Sequence, residues 1–167
     1  MHNPCRTAPP PACGEREQEG ERTQYMWGQR VWAAAQLLVG VPFRLHGRDA
    51  ATGLDCVGVV CLAYRRAGWA MAGVPDDYRL RGHGPDALAR WAEQAGLVDA
   101  MGQPPLMGDV ALCAVAPGQW HAMLLGGAQG IIHAHAGLRR VVAAPGGPPW
   151  PVGQRWRAPD AAHAAHG

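Results

Sequence analysis

One cysteine and two histidines are the residues whose types and spacing suggest catalysis. Cys56 follows Asp55, where a glycine-bearing loop runs into an apolar helical segment. Asp55 is a good N-cap, because its carboxylate can accept from the unpaired backbone N–H groups of the first helical turn. The helix dipole in that turn favours a thiolate over a thiol. This position indicates a nucleophile, with a small buried core residue as the alternative.

Two histidines on consecutive predicted strands can serve this nucleophile. A thiolate needs a base that takes its proton and returns it to the leaving group, and the base needs an orienting partner. His121 starts a strand after the turn Pro117-Gly118, and His133 lies on the next strand. Antiparallel neighbours on one face come within reach of a side-chain hydrogen bond. We therefore predict that Cys56, His121 and His133 lie next to one another in that order, as nucleophile, base and orienting residue.

The elements that position these residues follow a simple order, helices first and strands afterwards. Helical spacing is found from Thr23, a possible N-cap, to Val39, after Cys56, and in a short segment after Pro85. Short apolar runs bounded by glycine and proline then indicate about five strands, the last of them a possible edge strand at residues 154–157. Such an order predicts an α+β fold, with helices packed on an antiparallel sheet.

The chain of 167 residues is long enough for one domain with a substantial core. Its first residues combine prolines with a charged run, a composition typical of disorder. We therefore predict a disordered tail over residues 1–22, a catalytic domain over residues 23–158 and a frayed tail over residues 159–167. Cys5 and Cys13 fall in the first tail and are expected to be incidental thiols.

Composition excludes several classes of function. The net charge of +2 is too small to argue for nucleic acid or an anionic membrane. No apolar run is long enough for a transmembrane helix, and the first residues have no apolar segment typical of a signal peptide. Five cysteines without a CxxC pair indicate neither a disulfide framework nor a zinc knuckle. We expect synthesis in the cytoplasm.

The ordered set of motifs resembles the NlpC/P60 cysteine peptidases. It comprises Gly-Leu-Asp-Cys56-Val-Gly-Val-Val, then Gly108-Asp109-Val110, then His121, then Ile-Ile-His133-Ala, and it covers roughly residues 41–142. The resemblance implies a papain-like α+β fold and cleavage of peptidoglycan stem peptides, commonly after D-glutamate, without a cofactor. It also implies that Cys56 is the nucleophile, His121 the general base and then acid, and His133 the residue that orients His121.

The sequence departs from that family at two positions near the site. Val57 stands where the family usually has serine. Phe43 stands where it often has tyrosine, which keeps the ring and loses the hydroxyl donor. The resemblance places Phe43 and Asp55 at the substrate site, with Asp55 holding a free amino end. The approach segment, residues 47–53, looks most like a subgroup from phage tails and gene-transfer agents, which implies phage-like partners and action at the cell wall or on a particle.

Other readings of the same residues stay open. His133 and His135 are alternate residues of one strand and share a face, so with Cys56 or His121 they could bind zinc. The domain could instead be a non-catalytic, peptidoglycan-binding part of a phage-like tail tip, which would tolerate Phe43 and the valine after the cysteine. A thiol amidase or acyltransferase acting on another substrate is the third alternative.

Overall fold

The structure, a computed structural model, describes residues 13–74 and 85–159, with side chains from residue 18 onward. These residues form three α-helices, α1 (Cys13–Gln36), α2 (Cys56–Ala67) and α3 (Asp86–Gln94), and one turn of 3-10 helix at Gly127–Gln129. A small hairpin consists of β1 (Arg48–Asp49) and β2 (Gly53–Leu54). The main sheet contains β3 (Val98–Asp99), β4 (Val110–Ala116), β5 (Gln119–Leu125), β6 (Ile131–His135), β7 (Arg140–Ala144) and β8 (Val152–Arg157). Among the helices described, none is both long and apolar enough to cross a membrane.

The main sheet is antiparallel, with the strand order β3-β8-β4-β5-β6-β7. This arrangement confirms the predicted α+β class. The sheet has six strands rather than about five, because β3 is only two residues long and leaves no recognisable run in the sequence. The last strand, expected at an edge, lies between β3 and β4. That position requires the chain to cross the sheet after β7.

Helix α1 begins at Cys13 and not near Thr23. Residues 13–22, which the sequence assigned to a disordered tail, are therefore helical, since their glutamate, glutamine and arginine residues are good helix formers. Thr23 is not an N-cap, because its hydroxyl donates to the carbonyl oxygen of Glu19 one turn earlier, at 2.8 Å. Residues 1–12 and 160–167 lie outside the described residues, so the remainder of both tails stays a prediction.

The sheet has apolar residues on both faces. The helix-side face packs against α1 and α2 and contributes Val110, Leu112, Ala122, Leu124 and Ile132 to the main core. The opposite face forms a second cluster of Ala111, Cys113, Met123, Leu125 and Ile131, against which Trp150 and Val152 pack. Alternate residues of each strand thus divide between two clusters, as the pleat of a strand requires.

A buried ion pair holds the start of β4. Asp109, 1% exposed, accepts from Arg157 Nε at 3.0 Å and from Arg157 Nη2 at 2.8 Å. Its carboxylate also accepts from the backbone N–H of Leu106 at 3.0 Å. The Tyr64 hydroxyl donates to the carbonyl oxygen of Gly108 at 2.9 Å, which links α2 to the same point. The Gly108-Asp109 motif therefore has a structural role, fixing α2, β4 and β8 together.

Removal of the Asp109 carboxylate should strongly destabilise the fold. Asp109→Ala leaves the Arg157 guanidinium buried without its charge partner, and we expect a loss of about 3–5 kcal/mol in the free energy of unfolding. Urea unfolding measures this difference. Glu93→Ala, at an exposed position of α3, is the control and should change stability by less than about 0.5 kcal/mol. Equal effects of both substitutions would contradict the assigned role.

Candidate active site

The N-terminus of α2 is held by Asp55, as predicted. The Asp55 side chain is fully buried, and its Oδ1 accepts from the backbone N–H of Gly58 at 2.8 Å. Oδ2 accepts from the backbone N–H of His46, and Oδ1 also pairs with Arg48 Nη1, each at 2.8 Å. A Cβ atom at Gly58 would overlap the carbonyl oxygen of Gly47. The absence of a side chain at Gly58 therefore allows α2 to approach the loop that carries the partners of Asp55.

Cys56 is the first residue of α2 and lies against β5. Its side chain is 1% exposed, and backbone N–H groups of Ala122 and Val57 approach the sulfur. Burial raises the pKa of the thiol from 9.0 to about 12, with a further contribution from the charge of Asp55. These effects exceed the opposing backbone hydrogen bonds. The expected thiolate is therefore not the resting form in this structure, because burial of the sulfur outweighs the effect of the helix dipole.

The two histidines are in direct contact. Nε2 of His121 and Nδ1 of His133 are 2.7 Å apart, and the two rings are nearly perpendicular, at 84°. Burial, followed by the neighbouring histidines, lowers the pKa of His121 from 6.5 to about 4. Burial and His135 lower the pKa of His133 to about 4 as well. Both imidazoles are therefore neutral at pH 7.

This hydrogen bond determines which nitrogen can act as a base. A neutral imidazole has one N–H donor and one acceptor nitrogen. If His121 donates through Nε2–H to Nδ1 of His133, then Nδ1 of His121 carries a lone pair and can accept a proton. The opposite assignment places the proton of His121 on Nδ1 and leaves no acceptor there. The first arrangement is the one that base catalysis requires.

The structure brings the two histidine rings together. It connects the cysteine to β5, the strand of His121, through a backbone group. The sulfur faces the N–H of Ala122, the residue that follows His121. Ala122 packs in the helix-side core, whereas His121 contacts Trp150 on the opposite side of the sheet. Over the described ranges, no hydrogen bond joins Cys56 Sγ to His121. Cys56 therefore lies close to the backbone of the strand that carries His121. A direct contact between the thiol and the imidazole is part of the function that we propose.

Phe43 and Val57 occupy different environments. Phe43 is half-buried against the main core, and its backbone N–H donates to the carbonyl oxygen of Arg139 at 2.9 Å. Val57 is fully buried. Its side chain therefore belongs to the core, where a serine hydroxyl would need a hydrogen-bond partner. The predicted substrate contacts of Phe43 and Asp55 remain predictions.

The histidine pair on β6 does not belong to a group of potential metal ligands among the described residues. His135 Nδ1 accepts from the backbone N–H of Leu138 at 3.1 Å, so this nitrogen serves the β6–β7 turn. The described residues contain no group of three or more histidine, cysteine, aspartate or glutamate side chains able to hold a metal ion. The geometry therefore gives the zinc alternative no support.

A tryptophan absent from the sequence prediction completes the site. The Trp150 ring lies edge-on to both imidazoles, with its centroid 5.8 Å from that of His121 and 6.4 Å from that of His133. The sequence signal was the proline-rich setting of Trp150, which indicated only a break after the fourth predicted strand.

A helix-start cysteine packed on an antiparallel sheet that carries paired histidines defines a papain-like α+β domain.

Comparison with solved structures finds NlpC/P60 proteins. The chain is similar to the NlpC/P60 domain of the peptidoglycan hydrolase SagA, with 22% identity and a TM-score of 0.51 over 71% of this chain and 88% of that chain. It is similar to NlpC1 from Trichomonas vaginalis, with 21% identity and a TM-score of 0.57 over 78% of this chain and 43% of that chain. An NlpC/P60 family protein from Bacillus cereus gives 20% identity and a TM-score of 0.52, covering 71% of this chain and 34% of that chain.

The comparisons define the fold. Known protein families give no matching model, and no curated protein matches the chain. The chain spans less than half the length of the Trichomonas and Bacillus proteins. The structural likeness shows that this chain has the NlpC/P60 fold, as its sequence motifs predicted.

The histidine pair should make the protein sensitive to mild acid. Between pH 6.5 and pH 4 the unfolded histidines bind protons that the folded ones do not, because the folded pKa values are about 4. The stability contributed by the neutral pair is therefore complete above pH 6.5 and declines as the pH falls to 4. We expect a loss on the order of 3 kcal/mol for each histidine in this window. Chemical unfolding across the pH range measures it.

The double variant His121→Gln/His133→Gln tests whether this pair is the cause. Its free energy of unfolding should depend less on pH between 6.5 and 4 than that of the wild type, since glutamine does not titrate. Parallel pH profiles for the two proteins would contradict the assignment.

Proposed function

We propose that this protein is a cysteine peptidase of the NlpC/P60 type that hydrolyses an amide bond in a peptidoglycan stem peptide. The observation that carries the proposal is the His121–His133 hydrogen bond, together with a helix-start cysteine whose sulfur lies near the backbone of Ala122, the residue that follows His121. The fold supports the same class, since one structural neighbour is described as a peptidoglycan hydrolase. Action at the cell wall follows from this choice of substrate.

In the proposed reaction, proton transfer accompanies attack. The raised pKa of Cys56 and the lowered pKa of His121 keep the proton on sulfur in the free protein. As the substrate carbonyl approaches, Sγ of Cys56 forms a bond to the carbonyl carbon and its proton passes to Nδ1 of His121. His133 accepts from Nε2–H of His121 throughout and so stabilises the imidazolium.

The negative charge on the carbonyl oxygen needs preorganised donors. The backbone N–H groups of Cys56 and Val57 are at the start of α2 and favour negative charge on the neighbouring sulfur, so they are suited to this role. His121 then returns the proton to the leaving amine, which gives a thioester on Cys56. Water hydrolyses the thioester with His121 again acting as base, and the free thiol is restored.

The finer substrate assignment rests on the motif resemblance. We propose cleavage between D-glutamate and the diamino acid, with Asp55 and Phe43 near the substrate. Arg48 and two backbone N–H groups already occupy the Asp55 carboxylate, so its first task is to position α2. Recruitment by a phage-like tail or gene-transfer-agent protein is the corresponding proposal for a partner, supported by the approach segment at residues 47–53.

Cleavage should depend on Cys56 and not on the other cysteine of α2. Mass spectrometry of meso-diaminopimelate muropeptides incubated with the protein should show a fragment cut after D-glutamate. Cys56→Ala and His121→Ala should reduce its formation by about 10³-fold or more, because each removes a group that the reaction requires. Cys61→Ala is the matched control, since Cys61 is also 1% exposed in α2, and it should retain most activity.

A Cys56-dependent cut at a different bond would keep the thiol mechanism and change the specificity, as in an amidase. Unchanged cleavage by the Cys56→Ala variant would contradict the proposal. Absence of any fragment, with a folded protein, would favour the second candidate described next.

The second candidate is a peptidoglycan-binding component that does not cleave. Three observations favour it: the thiol is buried, its pKa is raised, and no hydrogen bond within the described residues joins it to His121. Such a component would also tolerate the phenylalanine and valine substitutions of the family pattern. In this case the NlpC/P60 fold would supply only a surface that recognises the stem peptide.

Thiol alkylation separates the two candidates without a substrate. For a peptidase, the rate of Cys56 alkylation by iodoacetamide should fall by about tenfold or more in His121→Ala, because His121 is the proton acceptor. For a binding component, the rate should stay below that of a free thiol and should not change with His121→Ala. Because the chain has four other cysteines, mass spectrometry of proteolytic peptides must assign each alkylation to its residue, so that the rate of Cys56 is followed alone.

A further inference from the structure

Trp150 is held over the histidine pair by a rigid crossing segment. Since β7 is at one edge of the sheet and β8 lies beyond β4, residues 145–151 must pass across β6, β5 and β4. Pro148, Pro149 and Pro151 flank the tryptophan, and each proline fixes its own φ and restricts the preceding residue. The carbonyl oxygen of Pro151 also accepts from the backbone N–H of Ala114 at 3.0 Å. The part of the segment next to the tryptophan, residues 148–151, therefore presents Trp150 with little conformational freedom.

The crossing passes over the face that carries the histidines. Trp150 packs against the second apolar cluster, which includes Met123 of β5 and Ile131 of β6. His121 and His133 are an even number of residues from these two, so all four side chains belong to the same face. The Trp150 ring is nearly perpendicular to both imidazoles, at 84° and 88°. A single side chain thus contacts both members of the pair.

The backbone alone does not fix the two imidazoles relative to each other. The β5–β6 ladder consists of the pairs Leu124↔Ile132 and Leu125↔Ile131, and it ends before His121 is reached. The 2.7 Å hydrogen bond between the rings therefore lies where the strands are no longer paired. At such a position water can compete for both nitrogens unless a side chain excludes it.

We propose that Trp150 is a positioning residue that shields the His121–His133 hydrogen bond from water and holds the two rings in register. The effect on activity rests on the proposed peptidase function, whereas the effect on the histidines does not. Loss of the indole should allow His121 to rotate and hydrate, so that its Nδ1 is no longer held ready to accept a proton. A displacement of about 1 Å at such a site is enough to slow a reaction by about a hundredfold.

The test compares Trp150→Ala and Trp150→Phe with the wild type. Histidine titration by nuclear magnetic resonance should show that Trp150→Ala raises the pKa of His121 and His133 toward the usual histidine range, because water reaches both rings. Trp150→Phe keeps an aromatic cover and should restore the wild-type titration. In muropeptide hydrolysis, Trp150→Ala should lower kcat by about tenfold to a hundredfold with little change in KM.

Trp69→Ala is the matched control. Trp69 is also half-buried and also makes an edge-to-face contact, with Trp27 at 5.3 Å, but it lies past the opposite end of α2 from Cys56. Its substitution should leave both histidine titrations unchanged even if stability falls. This control separates loss of a tryptophan contact in general from loss of the cover over the histidines.

Two results would overturn the proposal: unchanged histidine titrations in folded Trp150→Ala, or a rise in KM alone, which would make Trp150 a substrate contact. If Trp150→Ala does not fold, Trp150→Leu keeps apolar volume without the ring and takes its place. If the wild type cleaves no muropeptide, the peptidase proposal fails while the titrations still decide the role of Trp150.

Discussion

The buried carboxylate of Asp55 is the interaction on which the site depends. It accepts from Gly58 in the first turn of α2, from the backbone of His46 and from Arg48 of the small hairpin. Because these partners come from separate segments, one side chain fixes both the start of the helix and the loop in front of it. Cys56 is the next residue, so the position of its sulfur against β5 follows directly from the cap.

A second buried carboxylate fixes the sheet against which the sulfur lies. Asp109 binds Arg157 of β8, while Tyr64 of α2 binds the carbonyl group of the preceding glycine. This connection sets the distance between α2 and the central strands β4 and β5. Fixing β8 beside β4 also requires the crossing segment after β7, which carries Trp150 over the histidines. The cap and the ion pair together therefore position Cys56, the histidine pair and Trp150.

Burial gives this site a neutral resting state. The pKa of Cys56 is raised to about 12 and that of His121 lowered to about 4, so an ion pair between them is disfavoured in the free protein. In a thiol peptidase this arrangement makes proton transfer part of the chemical step. In a binding component it would simply be the state of a packed core. The difference between these two outcomes lies in whether the proton of Cys56 can reach His121.

Local patterns in the sequence were sufficient for the longer strands, for the helix after Asp55 and for the pairing of the histidines. Asp55 before an apolar helix predicted the cap, and two consecutive strands that pair as antiparallel neighbours predicted that His121 and His133 meet, since both depend on contacts between near neighbours. The burial of Cys56, the internal position of β8 and the contact of Trp150 with both imidazoles were decided by the tertiary structure. Each of these features depends on elements that are distant in the chain. The packing of those elements determines which groups are desolvated and in which order the strands lie, and no local period or spacing in the sequence encodes that packing.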